Sequence, residues 1–200
     1  TITFFMRLQS FEVAPFLPLY AKSTNATLGG IGLILAVHSV SMLALSIPCG
    51  IASDKIGRKK MLAIGSLLAA LGCLLVPLTH EPMHFLAALV LIALGNVAFM
   101  PAESAYIGDL AGSRVGSAYS FYTFLFQAAS TIGALTGGFV ADIFDIGAPF
   151  LLSSAYAFLA LIIIVTRLKE IPRKVDSSTT KAVDRPEQSF YTAVSYTHLR

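Results

Sequence analysis

The amino-acid sequence predicts an all-α membrane protein with six transmembrane helices, and three observations predict it. Of its 200 residues, 56% are hydrophobic and only 12% charged, about half the charged share of an ordinary soluble domain. The hydrophobic residues gather in six runs, each close to the roughly 20 residues a helix needs to cross the hydrocarbon layer. The cations sit in alternate gaps between those runs.

The runs cover residues 1–20, 28–51, 61–78, 85–107, 115–140 and 148–166. The first opens at Thr1, with neither the basic start nor the small-residue cleavage site of a signal peptide. The sequence is therefore expected to begin inside its first helix. The sixth is the plainest, ending in an unbroken apolar stretch from Ala157 to Val165. Barrel strands would be about ten residues long with alternating polarity, which none of these runs shows. Cys49 and Cys73 both lie in apolar runs and read as small packing residues.

The gaps place the runs in the membrane. The first carries only Lys22. The second carries Lys55, Arg58, Lys59 and Lys60. The third and fifth carry no Lys or Arg, and the fourth carries Arg114. After Val165 come Arg167, Lys169, Arg173, Lys174, Lys181 and Arg185. Lys and Arg flanking membrane helices stay on the cytoplasmic side. The even gaps and the final segment thus belong inside the cell, with both ends of the stretch cytoplasmic in a multi-pass protein of the cell membrane. Residues 1–170 are expected to form the transmembrane unit. Pro172, a Ser-Ser-Thr-Thr run and Pro186 mark residues 171–193 as a flexible cytoplasmic linker. Residues 194–200 look foreign to the rest and are expected to be a non-native tail.

The second gap holds Gly50-Ile-Ala-Ser-Asp54-Lys55-Ile-Gly57-Arg58-Lys59-Lys60. Gly50 suits close helix approach, Gly57 a positive φ at a helix end, and Asp54 a helix dipole or a cation. A merely basic anchoring loop needs the cations but not this spacing. The stretch resembles the loop signature Gly-x-x-x-Asp-x-x-Gly-Arg-Lys/Arg of the major facilitator superfamily, with Ala52 where a Leu is usual. Ala14-Pro-Phe-Leu-Pro-Leu-Tyr20 and Ile107-Gly-Asp109-Leu with Arg114-Val-Gly116 resemble other pieces of that family.

The resemblance covers about residues 1–170. It implies one six-helix half of a twelve-helix transporter, built from two inverted three-helix repeats. The other half, six helices of the same protein, would then be the principal partner. Gly50-x-x-x-Asp54 near the end of run two is echoed by Gly138-x-x-x-Asp142 near the end of run five, its equivalent in the repeat. The resemblance also implies a latch: Arg58 pairing with Asp109 inside this half, with Asp54 facing the other half. Gly133-Ala-Leu-Thr-Gly137-Gly138 looks like the Gly-Pro-x-x-Gly-Gly element of drug–proton antiporters. Ala134 replaces its Pro, and Leu91 stands where those antiporters often carry Arg, so both departures count against a multidrug assignment. Close helix packing is the plainer role for these three glycines.

Ionisable and amide groups at membrane depth are costly and mark candidate sites. Glu12, near the middle of run one, is the candidate for a proton or substrate contact, or else a structural carboxyl paired with a cation. Arg7 suits an anionic substrate, a structural ion pair, or snorkelling to the surface. The two lie five residues apart, about 140° round a helix, so each is expected to find its partner on another helix or in a central cavity. His38 suits a proton relay or an interhelical hydrogen bond. Asn96 and Gln127 suit cavity lining or helix association. Glu103, just past Pro101, is expected to join the Asp109 charges.

No metal-ligand spacing, nucleophile elbow or phosphate-binding Gly-x-x-x-x-Gly-Lys-Ser/Thr loop is present, so neither a cofactor nor enzyme chemistry is expected. A net charge of +3 is too small to argue for nucleic acid. The expected partners are the bilayer, a small solute and protons. The expected function is secondary active or facilitative transport of that solute by alternating access, with a non-transporting scaffold or receptor on the same fold as the alternative.

Overall fold

Six α-helices follow one another in a computed structural model that describes residues 2–23, 27–79, 81–112 and 114–168. They are α1 (Ile2–Ser23), α2 (Leu28–Ile56), α3 (Arg58–Leu75), α4 (Pro82–Ala111), α5 (Val115–Ile143) and α6 (Ala148–Arg167), with one 3₁₀ turn at Val76–Leu78. The expected linker at 171–193 and the tail at 194–200 lie outside the described residues.

Local chemistry sets several boundaries. The Thr27 hydroxyl accepts the Gly30 amide at 3.1 Å and caps α2. Pro82 starts α4, where its missing N–H costs nothing. Gly57 has φ 106°, a conformation that only glycine takes without strain, and it alone separates α2 from α3. By hydropathy the second run ends at 51 and the third opens at 61, but α2 runs on to Ile56 and α3 starts at Arg58. Hydropathy marks where lipid ends, whereas the backbone ladder continues into water. At 29 residues, α2 is roughly 43 Å long, well beyond a hydrocarbon core of about 30 Å.

Five of these helices, α2 to α6, are long and apolar enough to cross a membrane. By composition α1 falls short, because it carries Arg7, Gln9 and Glu12. All three are buried inside the bundle, so the face α1 turns outward is not the one that lowers its hydropathy.

The packing repeats itself. The principal contacts of α1 are with α5 and α6, and those of α4 with α2 and α3. Exchanging α1 with α4, α2 with α5 and α3 with α6 returns the same set of neighbours. This is the pattern of two three-helix repeats, each of which lends its first helix to the other. Small residues bring the backbones together: a Cβ built on Gly65 of α3 would lie 2.8 Å from the Gly95 carbonyl of α4.

Two apolar clusters fill the interior. One includes Phe16, Tyr20, Val76, Phe85 and Phe150, the other Met61, Leu62, Phe99, Ala157 and Ile164. Between them lies a buried polar layer containing Gln9, Glu12, Ser153 and Ser154.

The connections sort to opposite ends. At one end the Tyr20 hydroxyl donates to the Val76 carbonyl at 2.8 Å, and Gly147 approaches Tyr20 and Pro77. At the other, Arg58 meets the end of α4 and Lys59 the end of α6. The second end collects Lys55, Arg58, Lys59, Lys60, Arg114 and Arg167. Helices α2 and α5 are left largely uncovered, with apolar side chains such as Leu43 (76% exposed) and Phe139 (67%) directed away from the bundle.

Candidate functional site

A cavity of about 200 Å³ opens between α1, α2 and α4, and Arg7, Gln9, His38, Met42, Asn96 and Met100 are among its walls. The helical period brings them there. Arg7, Ser10, Ala14 and Leu17 form one stripe of α1, His38 and Met42 are one turn apart on α2, and Ile92, Asn96 and Met100 are successive turns of α4. Three of the polar residues expected at membrane depth therefore converge from three helices. Two roomier hollows, of about 290 and 530 Å³, lie near helix ends. Their linings are mostly apolar, and neither gathers the polar groups of the membrane interior.

Arg7 does not snorkel. It is 6% exposed and forms an ion pair with Glu103 of α4. The Tyr122 hydroxyl donates to the same Glu103 oxygen, Oε2, at 3.3 Å, and the guanidinium carbon lies 5.4 Å from the centre of the Phe126 ring. Glu103 thus joins Arg7 and not, as expected, the Asp109 charges. A buried cation is held by the nearest carboxylate on a packed helix, and α4 carries Glu103 inward at that level. Arg7 Nε and Glu103 Oε1 are buried without a hydrogen-bond partner.

Glu12 points elsewhere. The 140° between it and Arg7 turns its carboxyl towards α5 and α6, out of the cavity. The Ser153 hydroxyl of α6 donates to Glu12 Oε2 at 2.9 Å, while Oε1 is buried and unpartnered. Among the described residues no cation pairs with it. Space for its side chain comes from α5, where a Cβ on Gly137 would lie 3.0 Å from Glu12 Cγ. On the α3 side, the Gln9 amide donates to Cys73 Sγ at 3.3 Å. Gln127 is exposed on α5 and is not part of the cavity wall. Of the five candidates, Arg7, His38 and Asn96 come together, and Glu12 and Gln127 do not join them.

At the basic end, Arg58 pairs with Asp109 and donates to the Ala105 carbonyl. Lys59 Nζ donates to the Val165 carbonyl at 3.2 Å, placing a cation on the negative end of α6. Asp54 is exposed and has no ion pair among the described residues. The expected close packing holds for Gly133 and Gly137, which share one face of α5 against α1. Gly138, about 100° further round, has nothing within 4 Å of a built Cβ, and neither does Gly50.

Sequence reasoning missed Gln9 and Ser153. Gln9 carried a signal, as an amide two residues from Arg7 in a membrane run. Ser153 carried none, since a serine commonly bonds to its own helix backbone, as Ser10 does here.

Comparison with known proteins adds the following. A family model described as Major Facilitator Superfamily matches residues 1–197. An uncharacterized MFS-type transporter of Methanocaldococcus jannaschii is 26% identical over 160 residues, covering 80% of this chain and 42% of the relative. Multidrug resistance protein 2 of Bacillus subtilis is 30% identical over 159 residues, covering 79% and 40%. Quinolone resistance protein NorA of Staphylococcus aureus is 24% identical over 185 residues, covering 92% and 46%. The chain spans less than half the length of each of these relatives.

Proposed function

Because the chain belongs to the Major Facilitator Superfamily, we propose that it forms one half of a transporter that moves a small organic solute across the cell membrane by alternating access. The observation that carries this reading is the meeting of Arg7, His38 and Asn96 in one cavity between α1, α2 and α4. Polar groups at membrane depth are retained where they face a solute path. A second six-helix half would close the cavity by covering the exposed faces of α2 and α5. The share of the relatives that this chain spans supports such a half. The cations favour a basic end inside the cell.

In this scheme the pair Arg58–Asp109 ties α3 to α4, and Asp54 meets the other half when the cytoplasmic side is shut. Glu12 is the proton-exchanging group, its unpartnered oxygen leaving room for a proton. It acts through the α1–α5–α6 packing and not as a solute ligand. The names of two relatives support an organic drug-like solute, while Ala134 and Leu91 count against the usual drug–proton antiporter pattern. Nothing in the bundle favours the scaffold alternative.

The test is flux through the complete protein in proteoliposomes, with an imposed pH gradient and a fluorescent amphipathic dye. Dye movement that follows the gradient is expected, and Glu12→Gln is expected to abolish that dependence. Dye binding without movement would leave the scaffold standing. Unchanged pH dependence in the variant would remove Glu12 from the scheme.

A further inference from the structure

We propose that the α1–α2–α4 cavity takes the carboxylate head of an amphipathic organic acid, with Arg7 as its ligand and Glu103 as the internal counter-ion that holds Arg7 when the cavity is empty. The proposal rests on the transport reading and names the solute class for its site.

Arg7 carries the argument. A guanidinium has five N–H donors and no acceptor. Here the residue is 6% exposed, one nitrogen, Nη2, donates to Glu103, and Nε has no partner. A buried cation with unfilled donors is under-satisfied, so a second acceptor arriving at it is favoured. Glu103 is the anchored member of the pair, because its Oε2 also accepts from Tyr122. The Phe126 ring lies on one side of the guanidinium, and Arg7 borders the cavity, so an acceptor held there lies beside it.

The rest of the wall agrees in sign. The cavity lining contains no Asp or Glu. Glu12 is turned to α6, and Glu103 is engaged by Arg7 and Tyr122. A cationic head therefore meets no free carboxylate from this half, whereas an anion meets Arg7, the Asn96 amide and His38. The Asn96 side-chain amide forms no hydrogen bond with another described group and can donate. Val13, Leu17, Met42, Ile92 and Met100 offer an apolar, adaptable surface for the remainder of the molecule.

The experiment compares three probes of nearly equal shape in the complete, reconstituted protein: 4-phenylbutyrate, its neutral amide and the corresponding phenylbutylammonium. Saturable transport of the carboxylate, preferred at least about tenfold over the other two, is expected. Arg7→Gln alone would leave Glu103 buried and unpaired, so the informative variant is Arg7→Gln with Glu103→Gln, a neutral pair in which the second change is isosteric. It should lose the carboxylate preference, the ratio of carboxylate to amide flux falling to about one. Should that protein not fold, Arg7→Lys keeps the charge opposite Glu103 but lacks the planar fork, and it should weaken the preference severalfold.

Retained carboxylate preference in the double variant, or in Arg7→Lys if only that folds, would show that Arg7 serves structure alone and overturn the proposal. Preference for the ammonium, or no transport of the acid, would overturn it outright. Amide or dye flux without carboxylate preference would leave the transport reading intact while sinking this one.

Discussion

Glycine has two fates in this bundle, and the surrounding residues decide between them. At Gly65 a Cβ would sit 2.8 Å from both the Gly95 carbonyl oxygen and the Phe99 amide nitrogen. Both neighbours are backbone and cannot swing aside. Gly65→Val should therefore cost about 1–3 kcal/mol through overpacking, read as a clear fall in the thermal unfolding midpoint in detergent. Gly138→Ala should hold that midpoint or raise it slightly, because nothing lies within 4 Å and Ala favours a helix interior over Gly by about 0.5–1 kcal/mol. Sequence spacing alone grouped Gly133, Gly137 and Gly138. It could not tell which of them faces α1, since that depends on how α5 is rotated against its neighbours. Arg7 and Glu12 are similar: both are buried in the bundle, but their partners Glu103 and Ser153 could not be read from the sequence, because those partners are set by helix rotation.

The short connection between α2 and α3 shows what one motif can specify at the level of elements. Its Gly57 turn was anticipated from residue order, where the constraint is local, and the Arg58–Asp109 pair from the family resemblance alone. The helical continuation to Ile56 was not anticipated, for the reason given with the fold. The pair is partly solvent-exposed, at 23% and 35% for the two side chains. Ion pairs of that kind contribute on the order of 1 kcal/mol or less, too little to decide whether the bundle folds. Its loss should appear in the transport cycle instead. Arg58→Asp is expected to slow flux severalfold, with membrane insertion and unfolding midpoint nearly unchanged, and adding Asp109→Arg should restore much of the rate. Asp54→Lys should cut flux at least about tenfold without loss of membrane-inserted protein. Normal flux in that variant would remove Asp54 from the latch.

The six helices and the alternation of their connections between two ends of the bundle were legible because the apolar runs and the cation-bearing gaps both reflect the cost of putting charge into lipid, which any stretch of sequence reveals. Cysteines placed at Lys60 and Leu168 should be labelled by an impermeant maleimide only after the cells are opened, and one at Glu81 in intact cells. Labelling of Lys60 from outside would invert the assigned orientation. The exchange of first helices between the two repeats was not legible, since hydropathy carries no information about which neighbour a helix chooses. That exchange bears on how the protein is made. The acid of α4 that neutralises Arg7 lies 96 positions downstream, and the hydroxyl that meets Glu12 lies 141 downstream. At synthesis rates of roughly 5–20 residues per second, the opening segment must wait on the order of ten seconds beside the ribosome with its charges unanswered. A nascent chain stalled before residue 153 would present those charges to the insertion machinery as a mark of incompleteness, and its degradation should be correspondingly fast.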